Sequence, residues 1–202
     1  MTVATEGIVD SAVAARILSS LRLELGPVHG QRGKGWSDRQ LVGFNQAARF
    51  APWLVLRDLN HDGECAPAIT RSLLATPAPH MRFRIAVRSV EAWLLGDAER
   101  ISAFLRVSSD RIPALPDELA DPKATLVNLA RQSSSREVRD DLVPARGTSA
   151  RVGPAYPARL IEFTNRKWRP SVASRRSGSL RRCLASLHGW ARPEPFQTFQ
   201  PK

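Results

Sequence analysis

The stretch APWLVLRDLNHDG, residues 51 to 63, decides how the rest of the chain is read. Trp53 to Arg57 is a compact apolar strand, introduced by Pro52 and ended by Asp58. Upstream, Thr2 to Thr5 reads as a short strand ending at Glu6-Gly7, and Val9, Val13, Ile17 and Leu21 follow at helical spacing. Leu23 to Val28 reads as a second strand, and His29 to Gly35 as a loop with three glycines. Asp38 to Phe50 reads as a helix. Downstream, Pro67 to Ala75 is helical and Met81 to Arg88 alternates as a strand, while Val90 to Leu95 and Ala98 to Leu105 turn helical again. Strands alternating with helices imply an α/β fold with a mostly parallel sheet covered on both faces.

From Val107 the pattern changes. Pro113, Pro116, Pro122, Pro144, Pro154 and Pro157 break the chain between short helices expected at Lys123 to Gln132 and Ala158 to Asn165. Gly178 to Leu187 suits a final basic helix. The expected organisation is a core over residues 1–106, a helical and loop extension packed on it over 107–187, and a frayed tail over 188–202.

With 202 residues, 43% of them hydrophobic and 24% charged, the chain is of ordinary globular composition, which excludes wholesale disorder, collagen and coiled coil. No apolar run approaches the roughly 18 residues of a membrane span, and Met1 to Gly7 lacks the features of a signal peptide. A cytoplasmic protein with no membrane partner is the expectation. Cys65 and Cys183 lie too far apart to form a disulfide framework or a Cys-rich zinc site. The net charge of +11 is concentrated at one end: residues 151–202 hold eleven Lys/Arg against Glu162 and Glu194, a net +9. Within that quarter Arg166, Lys167, Arg169, Arg175, Arg176, Arg181 and Arg182 run without an intervening acid. Such a segment is either a solvated face or a contact for nucleic acid or another polyanion, for which Arg175, Arg176, Arg181 and Arg182 are the candidates.

In an open α/β sheet, ligands bind beyond the carboxyl ends of the strands. Glu6 follows the first strand, with Asp10 one helical turn further on. Asp58 ends the Trp53 strand and is followed by Asn60 and Asp62, and Ser89 and Glu91 follow the Met81 strand. Taken singly, these residues serve equally as helix caps or turn formers. Together they make an oxygen-rich set free of soft ligands, suited to a hard divalent ion. Two rival motifs fail. Asp58 to Gly63 matches the first half of a calcium EF-hand loop, but position 12 is Ile69 in place of the bidentate Glu. Gly33-Lys34-Gly35 lacks the earlier glycine of a phosphate loop, since Val28 stands there, and Gly35 replaces its Ser/Thr. Trp53 and Trp93 read as core, and Arg57 and Arg88 as ion-pair partners of the acids or as phosphate contacts.

The segments TEGIVD, LVLRDLNHDGECAP, RIAVRSVEAWLLGD, LADPKATLVNLAR, DLVPARGTSARVGPAY and RSGSLRRCLASL, taken in order, resemble the bacterial Toprim-like proteins grouped as domain of unknown function 4276. These are distantly similar to the Toprim domain of the overcoming-lysogenization-defect (OLD) nucleases. The similarity covers roughly Val3 to Leu187. It implies Mg²⁺- or Mn²⁺-dependent phosphodiester hydrolysis, in a phage-defence setting with a separate ATPase subunit. The alternative is a non-catalytic nucleic-acid-binding or regulatory subunit that keeps the scaffold. Carried over position by position, Glu6 and Asp10 match the first acidic element, Asp58 and Asn60 the Asp-x-Asp element, and Ser89 and Glu91 the Ser-x-Glu element. Lys123 matches the active-site lysine. The resemblance makes Glu6, Asp58, Glu91 and Lys123 catalytic. Asn60 departs from the pattern, which has an Asp there; an amide oxygen still ligates Mg²⁺ but one negative charge is lost, for which Asp62 compensates if its loop folds back. His61 is a candidate general base that a two-metal mechanism does not require.

Overall fold

The computed structural model describes residues 1–63 and 65–190. Four strands, β1 (Thr2–Thr5), β2 (Val28–Gly30), β3 (Trp53–Asp58) and β4 (Met81–Ala86), form one all-parallel sheet in the order β2-β1-β3-β4. The fold is the α/β class expected from the alternation, a parallel sheet flanked by helices. α1 (Ile8–Ser20), α2 (Lys34–Ala47) and α3 (Ala66–Leu73) make the crossovers between successive strands. Because the chain steps from β1 outward to β2 and then back across to β3, the strand order reverses between β1 and β3. The loops leaving those two strands therefore diverge, and the crevice they open is the usual ligand position in such sheets.

The two faces of the sheet bury different residues, as period-two alternation requires. Val3, Leu54, Leu56 and Ala86 face a large cluster that includes Val13 and Ile17 of α1 and Trp93 of α4 (Val90–Leu95). Ala4, Trp53, Val55, Met81, Phe83 and Ile85 face a smaller one with Leu41 and Phe44 of α2. The remaining helices are α5 (Ala98–Leu105), α6 (Pro122–Arg131), α7 (Arg136–Leu142), α8 (Tyr156–Arg166), α9 (Pro170–Ala173) and α10 (Gly178–His188). Their apolar residues Leu126, Leu142, Leu160, Phe163 and Leu180 join the large cluster, so residues beyond 107 bury the same core surface as the first half of the chain. Trp93 and Trp168 are completely buried, and each indole N–H finds an acceptor, Ser179 Oγ at 2.7 Å and the Trp93 carbonyl at 3.2 Å respectively.

The structure departs from the sequence reading at β2. The strand begins at Val28, where the expected one ends, because Gly26 and Pro27 are already spent on β1: the Gly26 N–H donates to the Met1 carbonyl and the Val3 N–H to the Pro27 carbonyl. Gly30 then runs so close to β1 that a Cβ would lie 2.1 Å from the Thr5 carbonyl oxygen, and its φ of 99° suits glycine alone. α2 starts at Lys34, four residues before the expected Asp38, and α7 and α9 were not expected. Among the described residues no helix is long and apolar enough to cross a membrane. Most of the tail expected to fray, residues 191–202, lies outside the described residues.

Candidate functional site

Glu6 and Asp58 meet at the strand-order reversal. Glu6 Oε1 accepts the Asp58 N–H at 3.2 Å, and Asp58 Oδ1 accepts the Val90 N–H at 3.0 Å, which fastens the end of β3 to the start of α4. Ser89 precedes α4 without capping it; its hydroxyl donates to Glu91 Oε2 at 2.6 Å. The other oxygen of Glu91 accepts from the Tyr156 hydroxyl at 3.3 Å and lies 3.4 Å from Lys123 Nζ. Lys123 is set there by α6, whose N-cap Asp121 accepts the Ala124 N–H and starts the helix at Pro122. Asp10 lies in the first turn of α1, only 7% exposed, and its Oδ1 has no hydrogen-bond partner. Gly7 makes that position possible: a Cβ there would stand 2.9 Å from Asp10 Oδ2 and push the carboxylate aside.

These groups act on one another electrostatically. Burial raises the Asp58 carboxyl well above its ordinary value, and the charges of Asp10, Glu91 and Glu6 raise it further. Asp10 is pushed up to about 7, first by burial and then by Glu91 and Glu6. Glu6 is raised by burial, against the lowering effect of its bond from Asp58. The Glu91 carboxylate holds the Lys123 ammonium above its ordinary pKa against the opposing effect of burial, with Asp58 and Asp10 adding to it. Glu6, Asp10, Asp58, Glu91 and Lys123 are therefore one electrostatic unit: four mutually repelling carboxylates and a single lysine. Their donor chemistry, oxygens only with one buried oxygen unpartnered, fits a hard divalent cation. Among the described residues, however, no three His, Cys, Asp or Glu side chains stand ready as a metal-holding group. Glu6, Asp58 and Glu91 each turn an oxygen toward an N–H or O–H of the protein.

Asn60 sits at φ 51°, its backbone tied to Arg88 twice: its N–H donates to the Arg88 carbonyl, and its own carbonyl accepts from the side-chain Nη1 of Arg88. With His61, Ser89, Lys34, Lys123 and Arg151 it lines a cleft of about 280 Å³. Asp62 is not among the clustered acids. It pairs with Lys34 and Arg57, and Lys34 foremost holds its carboxyl below the ordinary value, so its charge is already neutralised where compensation for Asn60 was expected. Arg57 also takes both oxygens of Asp38, at 2.8 and 3.1 Å, while Arg88 clasps the carbonyls of Asn60 and Gly63 and so braces the loop. Arg175, Arg181 and Arg182 are exposed, whereas Arg176 donates to the carbonyls of Pro113 and Ala114. Of the same basic run, Arg169 is paired with Asp97 and Glu99, and Arg166 with Glu162. Tyr156, Lys34 and Arg151 are site residues that the sequence reading did not select. Tyr156 carried one faint signal, being the single tyrosine of the chain.

No protein-family profile, curated protein or solved structure matches this chain.

The cleft position of Asn60 leads to a test of its departure from the Asp pattern. Asn60→Asp adds a negative charge without changing side-chain size, at a left-handed φ that Asp tolerates as Asn does. If the site takes Mg²⁺, calorimetric titration is expected to show several-fold tighter binding by the variant. Identical titrations would place the Asn60 side chain outside the cation's reach.

Proposed function

We propose that this chain is a metal-dependent phosphodiesterase of Toprim type acting on nucleic acid. The observation that carries the reading is the convergence of Glu6, Asp10, Asp58 and Glu91, drawn from the ends of three strands, at the strand-order reversal, with Lys123 beside Glu91. Bound Mg²⁺ or Mn²⁺ would polarise the phosphate and lower the pKa of a water. Glu6, Asp58 and Glu91, with Asp10, would hold it. Ser89 and Tyr156 fix the two oxygens of Glu91, and Lys123 steadies negative charge on the phosphate. Hydrolysis forms a bond from the water oxygen to phosphorus, breaks the phosphorus bond to the leaving sugar oxygen, and delivers a proton to that oxygen. The order of the sequence segments that resemble the Toprim-like proteins supports the same reading and implies a separate ATPase subunit.

A second reading is favoured by two observations: Asn60 stands where a carboxylate is expected, and the acids already engage protein donors. On it the chain is a nucleic-acid-binding or regulatory subunit with a degenerate site. Incubation with end-labelled single- and double-stranded DNA and RNA separates the two. Cleavage that requires Mg²⁺ or Mn²⁺ and stops on chelation is expected. Binding without cleavage of any substrate, with either cation, would establish the second reading instead.

A further inference from the structure

Among the described residues, the buried and half-buried arginines other than Arg84 are held by carboxylates or by backbone carbonyls. Arg57 has Asp38 and Asp62, Arg159 has Glu137, Asp141 and Glu162, and Arg169 has Asp97 and Glu99. Arg82 donates to the carbonyls of Pro79, Met81 and Ser186, and Arg88 to two loop carbonyls. Arg84 differs. Its hydrogen bond runs from Nε to the neutral hydroxyl of Ser186, at 2.8 Å, and among the described residues no carboxylate pairs with it. The groups that face it are Cys183, whose thiol burial pushes up to about 12 and so keeps protonated, and the cations Arg82 and Arg182. A partly desolvated cation among like charges is unfavourable unless an anion completes it.

Arg84 opens into a cleft of about 280 Å³ at the free edge of β4, between α3 and α10. Arg71 and Thr70 come to it from α3, Arg182 and Ser179 from α10, and no acid lines it among the described residues. The Ser179 wall is fixed, since its hydroxyl receives the Trp93 indole N–H and the Val87 N–H. Burial first, then Arg82 and Arg182, hold the Arg84 pKa below its ordinary value, the direction that an absent counter-charge gives.

We propose that Arg71, Arg84 and Arg182 form a phosphate subsite that grips a nucleic-acid strand by a phosphodiester flanking the one at the acidic cluster. Guanidinium forks match phosphate oxygens in pairs, which suits three arginines around one anion. The placement rests on the phosphodiesterase reading above. Arg84 pairs in register with Leu56, and Ala86 with Asp58. One strand spacing and two residues of rise therefore separate the Arg84 and Asp58 backbones, roughly 8 Å. On this proposal a strand with one phosphate over Asp58 would bring a neighbouring one to the β4 edge. This subsite also gives Arg182, within the basic run, a defined partner set, and leaves Arg175 and Arg181 outside it.

The test is binding of a short fluorescent oligothymidylate in chelator, read by anisotropy across a salt series, so that no cleavage intervenes. Arg71→Gln, Arg84→Gln and Arg182→Gln combined are expected to weaken binding about tenfold, the scale of one charge-assisted contact, and to lower the slope of log affinity against log salt by about 0.7 for the phosphate lost. Arg84→Lys should recover part of the loss, and thermal melts of all variants should stay at or above the parent's, since removing an unpaired cation costs no ion pair. Unchanged affinity and slope would overturn the subsite. A variant set that loses binding of inorganic phosphate, measured by calorimetry, while keeping the oligonucleotide would overturn its assignment to a nucleic-acid strand. Failure of the phosphodiesterase reading shows elsewhere, as absent cation-dependent cleavage with oligothymidylate binding intact.

Discussion

Asp58→Asn is expected to lower cation-dependent cleavage by at least about a hundredfold, the loss typical of removing one group that stabilises transition-state charge, while raising the melting temperature. Both effects come from the same charge. Asp58 lies between Asp10, Glu91 and Glu6, and burial and their repulsion raise its pKa well above the ordinary value. Asparagine keeps an Oδ1 that accepts the Val90 N–H, so the bond that joins β3 to α4 survives, and the Glu6 bond uses the backbone N–H of residue 58, which any residue supplies. What is lost is one negative charge from a repelling set. Each kcal/mol of relieved repulsion is expected to raise the melting temperature of a chain of this size by about 2–4 °C. A variant that melts higher yet cleaves at the parent's rate would remove Asp58 from the chemistry. One that melts lower would show that its carboxylate is needed by the fold. Cleavage assay and melt on the same preparation separate these outcomes.

The site was legible in the sequence to the extent that it depends on strand ends. β3 ends at Asp58 and α4 starts at Val90, so a rule about the carboxyl edges of parallel strands places Glu6, Asp58 and Glu91 without coordinates. α5 was legible because its buried Ile101, Phe104 and Leu105 recur at helical spacing, whereas α4 is buried on every side and shows only an apolar run. β2 was misplaced because its three residues are largely exposed and carry no alternation. Long-range partners left no local trace. Nothing near Asp62 shows that Arg57 and Lys34 claim it, and Tyr156 reaches Glu91 across 65 residues of chain. Arg169 of the basic run likewise finds Asp97 at a separation of 72 residues, which a scan for neighbouring acids does not detect.

The same cluster sets how stability follows pH and divalent cations. Asp10 has a pKa of about 7 in the fold, against 3.8 ordinarily. Between those values the folded chain holds a proton that the unfolded chain has released, so this group favours the fold less as pH rises through that window. Below the ordinary value both states are protonated and the contribution vanishes; above the folded value the whole cost of ionising a buried, repelled carboxyl is present. In chelator, the melting temperature is therefore expected to fall from about pH 5 to about pH 8, and Asp10→Asn should flatten that part of the curve. Subtracting the variant's profile from the parent's cancels the titration of groups outside the cluster and leaves that of Asp10 together with the shift it imposes on Asp58. A cation that binds the ionised cluster opposes this trend, because it binds the folded state and gains affinity as the carboxylates lose their protons. Mg²⁺ or Mn²⁺ should thus raise the melting temperature strongly at the upper end of the range and little at the lower end. A parent profile that matches the Asp10→Asn profile throughout would mean that burial and its neighbours do not hold the Asp10 carboxyl above its ordinary value. A cation effect equal at both ends would place binding away from these acids, since only their ionisation changes across the window. The melts need no substrate, so they report on the cluster itself.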